Sequence, residues 1–267
     1  MYYPMEKIEN FRDLGDIKTT DGKKVKNGML FRCAALSPAS ENDIEKIKEL
    51  GIDTIVDFRS SGEVWLERDP DIEGVKNHHI TLYKEKMEGV EKVNKEEHFY
   101  EWMIDQSLEQ PSLFEQQMIR NYSTMVSDSH AIAGFRKFFD ILLDKNSEKV
   151  LWHCSAGKDR TGIAAILLLE ALDADRQMIR DNYLLTNRYL NRSFTEVLDA
   201  VKERAGYHRN YEAIRDSFAA AMSASDQFFD ACYKTMIDKA GTVNAYLKEY
   251  FRIDEDTKKK LKEKYCE

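Results

Sequence analysis

The sequence predicts an α/β fold in which a central, mostly parallel sheet is flanked by helices. Two observations lead to that prediction. Short apolar or β-branched runs at residues 52–58, 75–82 and 150–153 alternate with helical stretches such as residues 62–68. Beyond residue 163 the pattern becomes helical throughout. Alternating strands and helices indicate a layered sheet, and the later segments indicate a helical carboxyl-terminal half.

Length, composition and charge limit what this chain can be. A chain of 267 residues without repeats or low-complexity linkers suits one domain, and we expect a single domain over residues 1–267. With 42% hydrophobic and 33% charged residues, the composition is typical of a soluble globular protein. A net charge of -8 argues against a nucleic-acid partner, because general nucleic-acid binders need a basic surface.

The sequence predicts neither a membrane segment nor a metal site. No apolar run approaches the roughly 18 residues that span a bilayer. Residues 1–10 lack the pattern of a secretory signal, so we expect a cytoplasmic protein. Four cysteines and the histidines other than His153 lack metal-ligand spacing, and we expect no metal and no cofactor. The sequence does not indicate an oligomeric state.

The amino-terminal part predicts a loop and a small hairpin. Residues 10–15 read N-F-R-D-L-G, an Asp-Gly turn signal follows, and residues 29–32 form the returning strand. We expect Arg12 and Asp13 to form a salt bridge that fixes this loop. Neither these residues nor Arg32 is assigned a catalytic role.

The next segments predict a helix over residues 40–50, with a capping pair at its start, and a buried parallel strand over residues 52–58. That strand delivers Asp57 and Arg59 at its carboxyl end, the edge at which open α/β sheets bind ligands. Asp57 is either a general acid or a residue that supports the site from behind without contacting the substrate. We favour a charge network of Asp57, Arg59 and Glu63 that supports a neighbouring loop.

The middle of the chain predicts an insertion. A charged stretch at residues 84–98 is followed by two amphipathic helices within residues 99–126, interrupted at Pro111. We interpret residues 84–126 as a helical lid that gates access to the site. A surface decoration is the alternative.

Helices account for most of the remaining chain. Residues 131–143 are amphipathic, residues 163–172 are apolar on all sides and predict a core helix, and helical segments continue from residue 176. The lysines within residues 258–264 are expected on a solvated helix face.

The most informative stretch covers residues 150–162 and reads V-L-W-H-C-S-A-G-K-D-R-T-G. It predicts a strand, a tight loop and a buried helix. Five residues separate Cys154 from Arg160, so a loop around a centre aims backbone N–H groups, a thiol and a guanidinium at one tetrahedral anion. Gly157 permits a positive φ, and the helix that starts near Thr161 adds its dipole. The stretch therefore predicts a phosphate site.

The same positive field favours thiolate over thiol at Cys154 and makes it a nucleophile. Arg160 is suited to hold two phosphate oxygens in the transition state, and Thr161 to donate to the sulfur. A phosphocysteine intermediate is the natural product. His153, directly before the nucleophile, is expected to hydrogen-bond the backbone or a neighbouring side chain and so tune the loop.

The string H-C-S-A-G-K-D-R-T-G resembles the active-site loop of the cysteine-dependent protein tyrosine phosphatase superfamily. Its G-K-D-R-T-G version is similar to the atypical bacterial tyrosine and phosphoinositide phosphatases. The strings N-F-R-D-L-G, D-F-R-S and D-N-Y-L-L-T-N also resemble motifs of that family, which usually has a second glycine where Asp16 stands. The resemblance implies a protein tyrosine phosphatase-like fold and a phosphorylated protein or phosphoinositide as substrate.

The resemblance also implies roles within the loop. Asp159 would be the acid that protonates the leaving group and then the base that activates water. The ammonium of Lys158, at the rim, would either bind a second phosphate or neutralise Asp159. The remaining positions of the loop and of the first helical turn would bind phosphate, namely Ser155, Ala156, Gly157, Lys158, Thr161 and Gly162.

These observations together predict a dual-specificity hydrolase that removes phosphate from phosphotyrosine and from phosphoinositides. Two alternatives remain open, a soluble inositol polyphosphate phosphatase and a non-catalytic phosphate-binding module. The depth of the pocket decides among the substrates.

Overall fold

The computed structural model describes residues 3–83, 99–190 and 192–267. Within those residues, strands form one sheet in the order β1-β2-β5-β3-β4. All neighbouring strands are parallel except β1 and β2, which confirms the predicted, mostly parallel sheet. The strands are β1 Arg12–Asp13, β2 Leu30–Cys33, β3 Thr54–Asp57, β4 Lys76–His79 and β5 Val150–His153.

Helices make up most of the rest and fill the carboxyl-terminal half, as predicted. None of the helices in the described ranges has the length and apolar character needed to cross a bilayer. The helices are α1 Glu41–Glu49, α2 Ser61–Leu66, α3 Phe99–Ser107, α4 Leu113–Met125, α5 Ser129–Leu143, α6 Asp159–Ala171, α7 Arg176–Leu184, α8 Thr186–Tyr189, α9 Arg192–Ala205, α10 Tyr211–Met222, α11 Asp226–Ala240, α12 Val243–Phe251 and α13 Glu255–Tyr265.

The central strand β5 separates two hydrophobic cores. Because side chains alternate along a strand, Val150 and Trp152 enter the larger core and Leu151 enters the smaller one. The larger core contains the apolar faces of α4, α5 and α6, and the smaller core contains Ile47 of α1. Strand β5 therefore ends in the middle of the sheet's carboxyl edge, and Cys154 follows immediately.

Two capping boxes fix the helices that follow β2 and β3. Helix α1 starts at the predicted pair, in which Ser40 and Asp43 each accept from the other's backbone N–H. Helix α2 has a second such box, which the sequence analysis did not identify, formed by Ser60 and Glu63. The Ser60 N–H donates to Glu63 Oε2 at 2.7 Å. This contact fixes the Glu63 carboxylate at the start of α2, which matters for the site.

The expected insertion at residues 84–126 starts at residues 84–98, which lie outside the described residues. The two helices predicted after it are present as α3 and α4, separated at Pro111. Helix α4 buries Phe114, Met118 and Tyr122 in the larger core, with exposed fractions of 0–9%. Deleting all of residues 84–126 would therefore remove core side chains, and it cannot test gating alone.

The expected salt bridge between Arg12 and Asp13 is wrong. Adjacent residues of a strand point to opposite faces, so these two side chains diverge. The buried Arg12 donates to the main-chain oxygens of Asn10 and Asn182 at 3.1 and 3.0 Å. Asp13 instead accepts from backbone N–H groups of the hairpin. Arg12 thus ties the amino-terminal loop to the last turn of α7, and Asp13 holds the hairpin together.

Asp16 occupies the conformation for which the related motif uses glycine. Its φ of 65° lies in the left-handed region, which aspartate tolerates better than most residues. Lys24 Nζ lies 3.0 Å from its carboxylate. The turn is therefore preserved despite the substitution.

The carboxyl-terminal lysines are only partly solvated, which corrects the expectation of a solvated face. Lys258 is 3% exposed and lies 2.6 Å from Asp173, which also pairs with Lys262 at 2.7 Å. Lys264 donates to three main-chain oxygens at the end of α5 and just beyond it. Lys259 remains exposed, with a side-chain exposure of 75%. Helix α13 therefore packs against the rest of the protein partly through the ion pairs and hydrogen bonds of its lysines.

Candidate active site

Residues 154–158 form the loop between β5 and α6, and Gly157 determines its path. Gly157 has a φ of 64°, and a Cβ atom there would lie 2.2 Å from the Cys33 carbonyl oxygen. No side chain fits at that position. Helix α6 starts at Asp159, two residues before the predicted start, so its free N–H groups border this loop.

Two side chains from the amino-terminal part hold the loop from one side. Asn10 Nδ2 donates to the carbonyl oxygens of Ala156 and Gly157 at 3.2 and 2.9 Å. Arg32 Nη2 donates to the same Gly157 oxygen at 2.8 Å. Neither residue is among the site residues predicted from the sequence, although Asn10 opens the N-F-R-D-L-G string. With these carbonyls engaged, the loop's N–H groups are left for an anion.

One buried guanidinium group, that of Arg32, contacts the loop, and a second, that of Arg12, lies beside it on the neighbouring strand. Arg12 and Arg32 are register partners on β1 and β2, with exposed fractions of 1% and 0%. Within the described residues, both donate to carbonyl, amide or hydroxyl oxygens, and neither has a recorded ion pair. Burial lowers the pKa of Arg32 to about 10, and the Cys154 thiolate opposes that shift. This positive charge therefore lacks a carboxylate partner and favours an anion in the loop.

The nucleophile candidate lies at the base of this arrangement. Cys154 is 2% exposed, and the following helix is anchored by Trp152 Nε1, which donates to the Thr161 carbonyl oxygen at 3.1 Å. The Thr161 hydroxyl is buried and has no hydrogen-bond partner among the described residues. The expected hydrogen bond from Thr161 to the sulfur is thus not formed in this structure.

Arg160 is held by Glu63 of α2. Its Nη1 and Nη2 donate to the two carboxylate oxygens at 2.6 and 2.8 Å, and Nη2 also donates to Ser155 Oγ at 3.1 Å. The guanidinium lies 5.5 Å from the centroid of the Tyr83 ring. Burial opposes the charge, but the Cys154 thiolate and Glu63 raise the pKa of Arg160 well above its usual value. Arg160 therefore stays cationic and faces the loop in a fixed pose.

Asp57 and Arg59 lie in a charge network beside the loop, but its other members are Asp69 and His153, whereas the expected third member, Glu63, pairs with Arg160 instead. Arg59 Nη2 lies 2.9 Å from Asp57 and 2.6 Å from Asp69. His153 Nε2 approaches Asp69 at 3.2 Å. Burial alone would raise the pKa of Asp57, but His153 and Arg59 lower it. The trio Asp57, Asp69 and His153 has metal-ligand spacing among the described residues, but Arg59 already balances its carboxylates.

Lys158 does not reach the rim, and that expectation is wrong. The side chain is 2% exposed, and its ammonium donates to the Ala221 carbonyl oxygen at the end of α10. Lys158 Nζ lies 3.5 Å from Asp159 Oδ1. A second phosphate therefore has no access to Lys158, and the geometry matches the alternative in which Lys158 neutralises Asp159.

The other predicted phosphate-binding positions differ in exposure. Ser155 is exposed, and its hydroxyl contacts both Glu63 and Arg160, while Ala156 is half-buried. Gly162 lies in α6, where a Cβ atom would come within 3.4 Å of Tyr183 and Arg32. Gly162 thus lets the helix approach Arg32 closely.

Asp159 contacts a residue that no sequence signal indicated. Tyr122 of α4 donates its hydroxyl proton to Asp159 Oδ1 at 2.7 Å, and Tyr183 of α7 donates to Tyr122 at 2.8 Å. Asp159 itself keeps a side-chain exposure of 21%. The loop therefore combines free N–H groups, a buried thiol, a fixed guanidinium and a partly exposed carboxylate, which are the groups that phosphoryl transfer to a thiolate requires.

The chain is similar to other proteins over most of its length. A protein of Cupriavidus necator, whose name places it among the tyrosine-protein phosphatases, is 29% identical over 248 residues, covering 92% of this chain and 83% of its own. The triple specificity protein phosphatase PtpB of Mycobacterium tuberculosis is 25% identical over 264 residues, covering 90% of each chain. A solved structure of kinase associated phosphatase, with its catalytic cysteine changed to serine, covers 90% of this chain and 97% of its own, at 14% identity and a TM-score of 0.37.

The family model described as "Tyrosine phosphatase family" matches residues 3–267. That range includes the loop at residues 154–158, the Glu63 that holds Arg160 and the Asn10 that holds the loop. The chain belongs to the tyrosine phosphatase family, and it is a phosphatase.

Proposed function

We propose that this phosphatase is a cysteine-dependent phosphomonoesterase that hydrolyses phosphotyrosine through a phosphocysteine intermediate. The observation that supports this most is the loop at residues 154–158, which has a buried Cys154 at its base and Arg160 beside it. The loop's N–H groups, the start of α6 and Arg160 would bind the three non-bridging phosphate oxygens.

In the first step, the Cys154 thiolate attacks phosphorus and the bond from phosphorus to the tyrosyl oxygen breaks. Asp159 supplies the proton that the departing oxygen takes up, so a phenol leaves and a thiophosphate ester remains on Cys154. Arg160, kept in place by Glu63, balances the charge on the equatorial oxygens.

In the second step, water attacks phosphorus and the sulfur–phosphorus bond breaks. Asp159, now ionised, accepts a proton from that water. Inorganic phosphate and the thiolate result, and Asp159 regains the proton that it gave. The charge of Arg32 next to the loop favours return of the sulfur as a thiolate.

The substrate range is the second part of the proposal. The name of PtpB states triple specificity, which supports testing phosphorylated substrates other than phosphotyrosine. Phosphoinositides remain candidates, but the buried Lys158 offers no second phosphate site. We therefore propose that monophosphorylated substrates are preferred and that soluble inositol polyphosphates are poor substrates.

The test is release of phosphate from matched panels of phosphopeptides, phosphoinositides and inositol polyphosphates. We expect hydrolysis of phosphotyrosine that vanadate inhibits, that EDTA leaves unchanged, and that Cys154→Ser abolishes. A radiolabelled substrate should leave label on the wild-type protein after a rapid acid quench and none on Cys154→Ser. Phosphate binding without turnover would support the non-catalytic module instead.

The domain assignment is also a proposal. The family match over residues 3–267 supports one phosphatase domain across the chain. The expected cover over residues 84–126 stays a prediction, because its first part, residues 84–98, lies outside the described residues and α4 belongs to the core.

A further inference from the structure

Two buried tyrosines form a hydrogen-bonded chain that ends on Asp159. Tyr122 and Tyr183 are 0% and 1% exposed, and they come from α4 and α7. The Tyr183 hydroxyl donates to the Tyr122 oxygen at 2.8 Å, and the Tyr122 hydroxyl donates to Asp159 Oδ1 at 2.7 Å. Every proton in this chain therefore points towards Asp159.

Both phenols remain protonated at neutral pH. Burial raises the pKa of Tyr122 well above its ordinary value, and the charge of Asp159 raises it further. Burial also raises the pKa of Tyr183. Tyr122 is thus a permanent donor to Asp159, not a group that exchanges protons with it.

Lys158 contacts the same carboxylate oxygen. Its ammonium lies 3.5 Å from Asp159 Oδ1 and is fixed by the Ala221 carbonyl oxygen. The hydrogen bond from Tyr122 and the ion pair with Lys158 therefore both lie at Oδ1. Within the described residues no hydrogen bond reaches Oδ2, and the side chain is 21% exposed. The two oxygens have different environments.

We infer that Tyr122, supported by Tyr183, is a positioning residue that selects Oδ2 of Asp159 as the oxygen that carries the transferred proton. The inference rests on the proposed acid role of Asp159. A hydrogen bond and an ion pair at one oxygen restrict the rotamer of the carboxylate, and proton transfer to a leaving group depends on that geometry. Helix α4 thus contributes to the chemistry from a position 37 residues before Asp159 in the chain.

The test compares leaving groups of different acidity. In wild type, Asp159→Asn and Tyr122→Phe, kcat/KM is measured for 4-nitrophenyl phosphate, whose phenolate leaves readily, and for phenyl phosphate, whose phenolate needs a proton. Because general acid catalysis is worth roughly 10²–10⁴-fold, we expect Tyr122→Phe to lower kcat/KM for phenyl phosphate about tenfold and that for 4-nitrophenyl phosphate less than about twofold. Tyr183→Phe should show a smaller loss of the same kind.

A matched control is available in Tyr246→Phe. Tyr246 is also 0% exposed, and its hydroxyl donates to the Val126 carbonyl oxygen at 2.6 Å, away from Asp159. We expect this variant to keep the wild-type ratio of the two kcat/KM values, even if its thermal stability falls as much as that of Tyr122→Phe.

The outcomes distinguish a failure of the acid role of Asp159 from a failure of the positioning role of Tyr122. If Asp159→Asn lowers kcat/KM equally for both substrates, Asp159 is not the general acid, and the inference about Tyr122 fails with it. If Asp159→Asn discriminates between them but Tyr122→Phe keeps the wild-type ratio, the positioning role alone is overturned. Should Tyr122→Phe fail to fold, Tyr183→Phe decides, because an unchanged ratio there contradicts the hydrogen-bonded chain.

Discussion

Glu63 binds both terminal nitrogens of Arg160, at 2.6 and 2.8 Å, and so joins the first turn of α2 to the loop that contains Cys154. This pair holds the Arg160 side chain in place beside the loop. The pair also connects two predictions made separately from the sequence, the network around Glu63 and the phosphate loop.

Glu63→Gln should lower activity and remove a source of acid sensitivity. Burial favours the neutral acid, but Arg160, Ser155 and the Ser60 N–H hold the pKa of Glu63 well below its usual range. A carboxyl group whose folded pKa is depressed stabilises the fold above its unfolded pKa of about 4.3, and that stability is lost as the pH falls further.

We therefore expect Glu63→Gln to cost about 2 kcal/mol of unfolding free energy at pH 7 and less at pH 3, measured by urea denaturation. At pH 7, kcat/KM should fall at least about tenfold because Arg160 loses its fixed pose. An equal loss of stability at both pH values would contradict the role of the ionised carboxylate.

Gly157→Ala should abolish phosphate binding. The added Cβ would lie 2.2 Å from the Cys33 carbonyl oxygen at a φ of 64°, so the loop must move. Gly74→Ala is the matched control, because Gly74 has a φ of 82° but no atom within 4 Å of the added Cβ. Both variants have the backbone strain, and only Gly157→Ala has the collision. Vanadate binding by isothermal titration should be lost in the first and retained in the second.

Asn10 should matter for activity although it is far from Cys154 in sequence. Its side-chain amide donates to Ala156 and Gly157, and its φ of 59° is left-handed. Asn10→Gly removes those bonds without adding strain, whereas Asn10→Ala adds about 1 kcal/mol of strain. We expect both variants to lose about tenfold in kcat/KM and only Asn10→Ala to lose further stability. Wild-type kcat/KM in Asn10→Gly would show that Arg32 suffices to hold the loop.

Lys258 should contribute to stability and its neighbour Lys259 should not. Lys258 is 3% exposed between Asp173 and Asn244, at 2.6 and 2.9 Å, while Lys259 is exposed. Removing one partner of a buried pair is costly, so Lys258→Met should lose roughly 3 kcal/mol of unfolding free energy and Lys259→Met less than about 0.5 kcal/mol. Chemical denaturation measures both. Equal effects would restore the expectation of a solvated helix face.

The sequence predicted those parts of the molecule that depend on local pattern. Hydrophobic periodicity located β3, β5 and most helices, and the capping pair at Ser40 and Asp43 located the start of α1. The loop motif located Cys154 and Arg160 because spacing along one short segment decides its shape. These features depend on residues that are close together in the chain.

What the sequence could not predict depends on packing between distant segments. The motif predicts that Lys158 lies at the rim of the site, but its ammonium donates to a carbonyl oxygen at the end of α10 and is buried there. Tyr122 reads as an ordinary core position of an amphipathic helix, and only the packing of α4 against α6 brings its hydroxyl to Asp159. Periodicity identifies a buried face without indicating which polar atom it will meet.

The position of β5 between β2 and β3 also has a consequence for synthesis on the ribosome. Strands β2 and β3 have no direct pairing, and each binds the strand that starts at Val150. A nascent chain must therefore wait for about a hundred further residues before its sheet can close, with two unpaired strand edges exposed meanwhile. Co-translational folding of this enzyme should be late and abrupt, and its early translation products should be the species that chaperones bind.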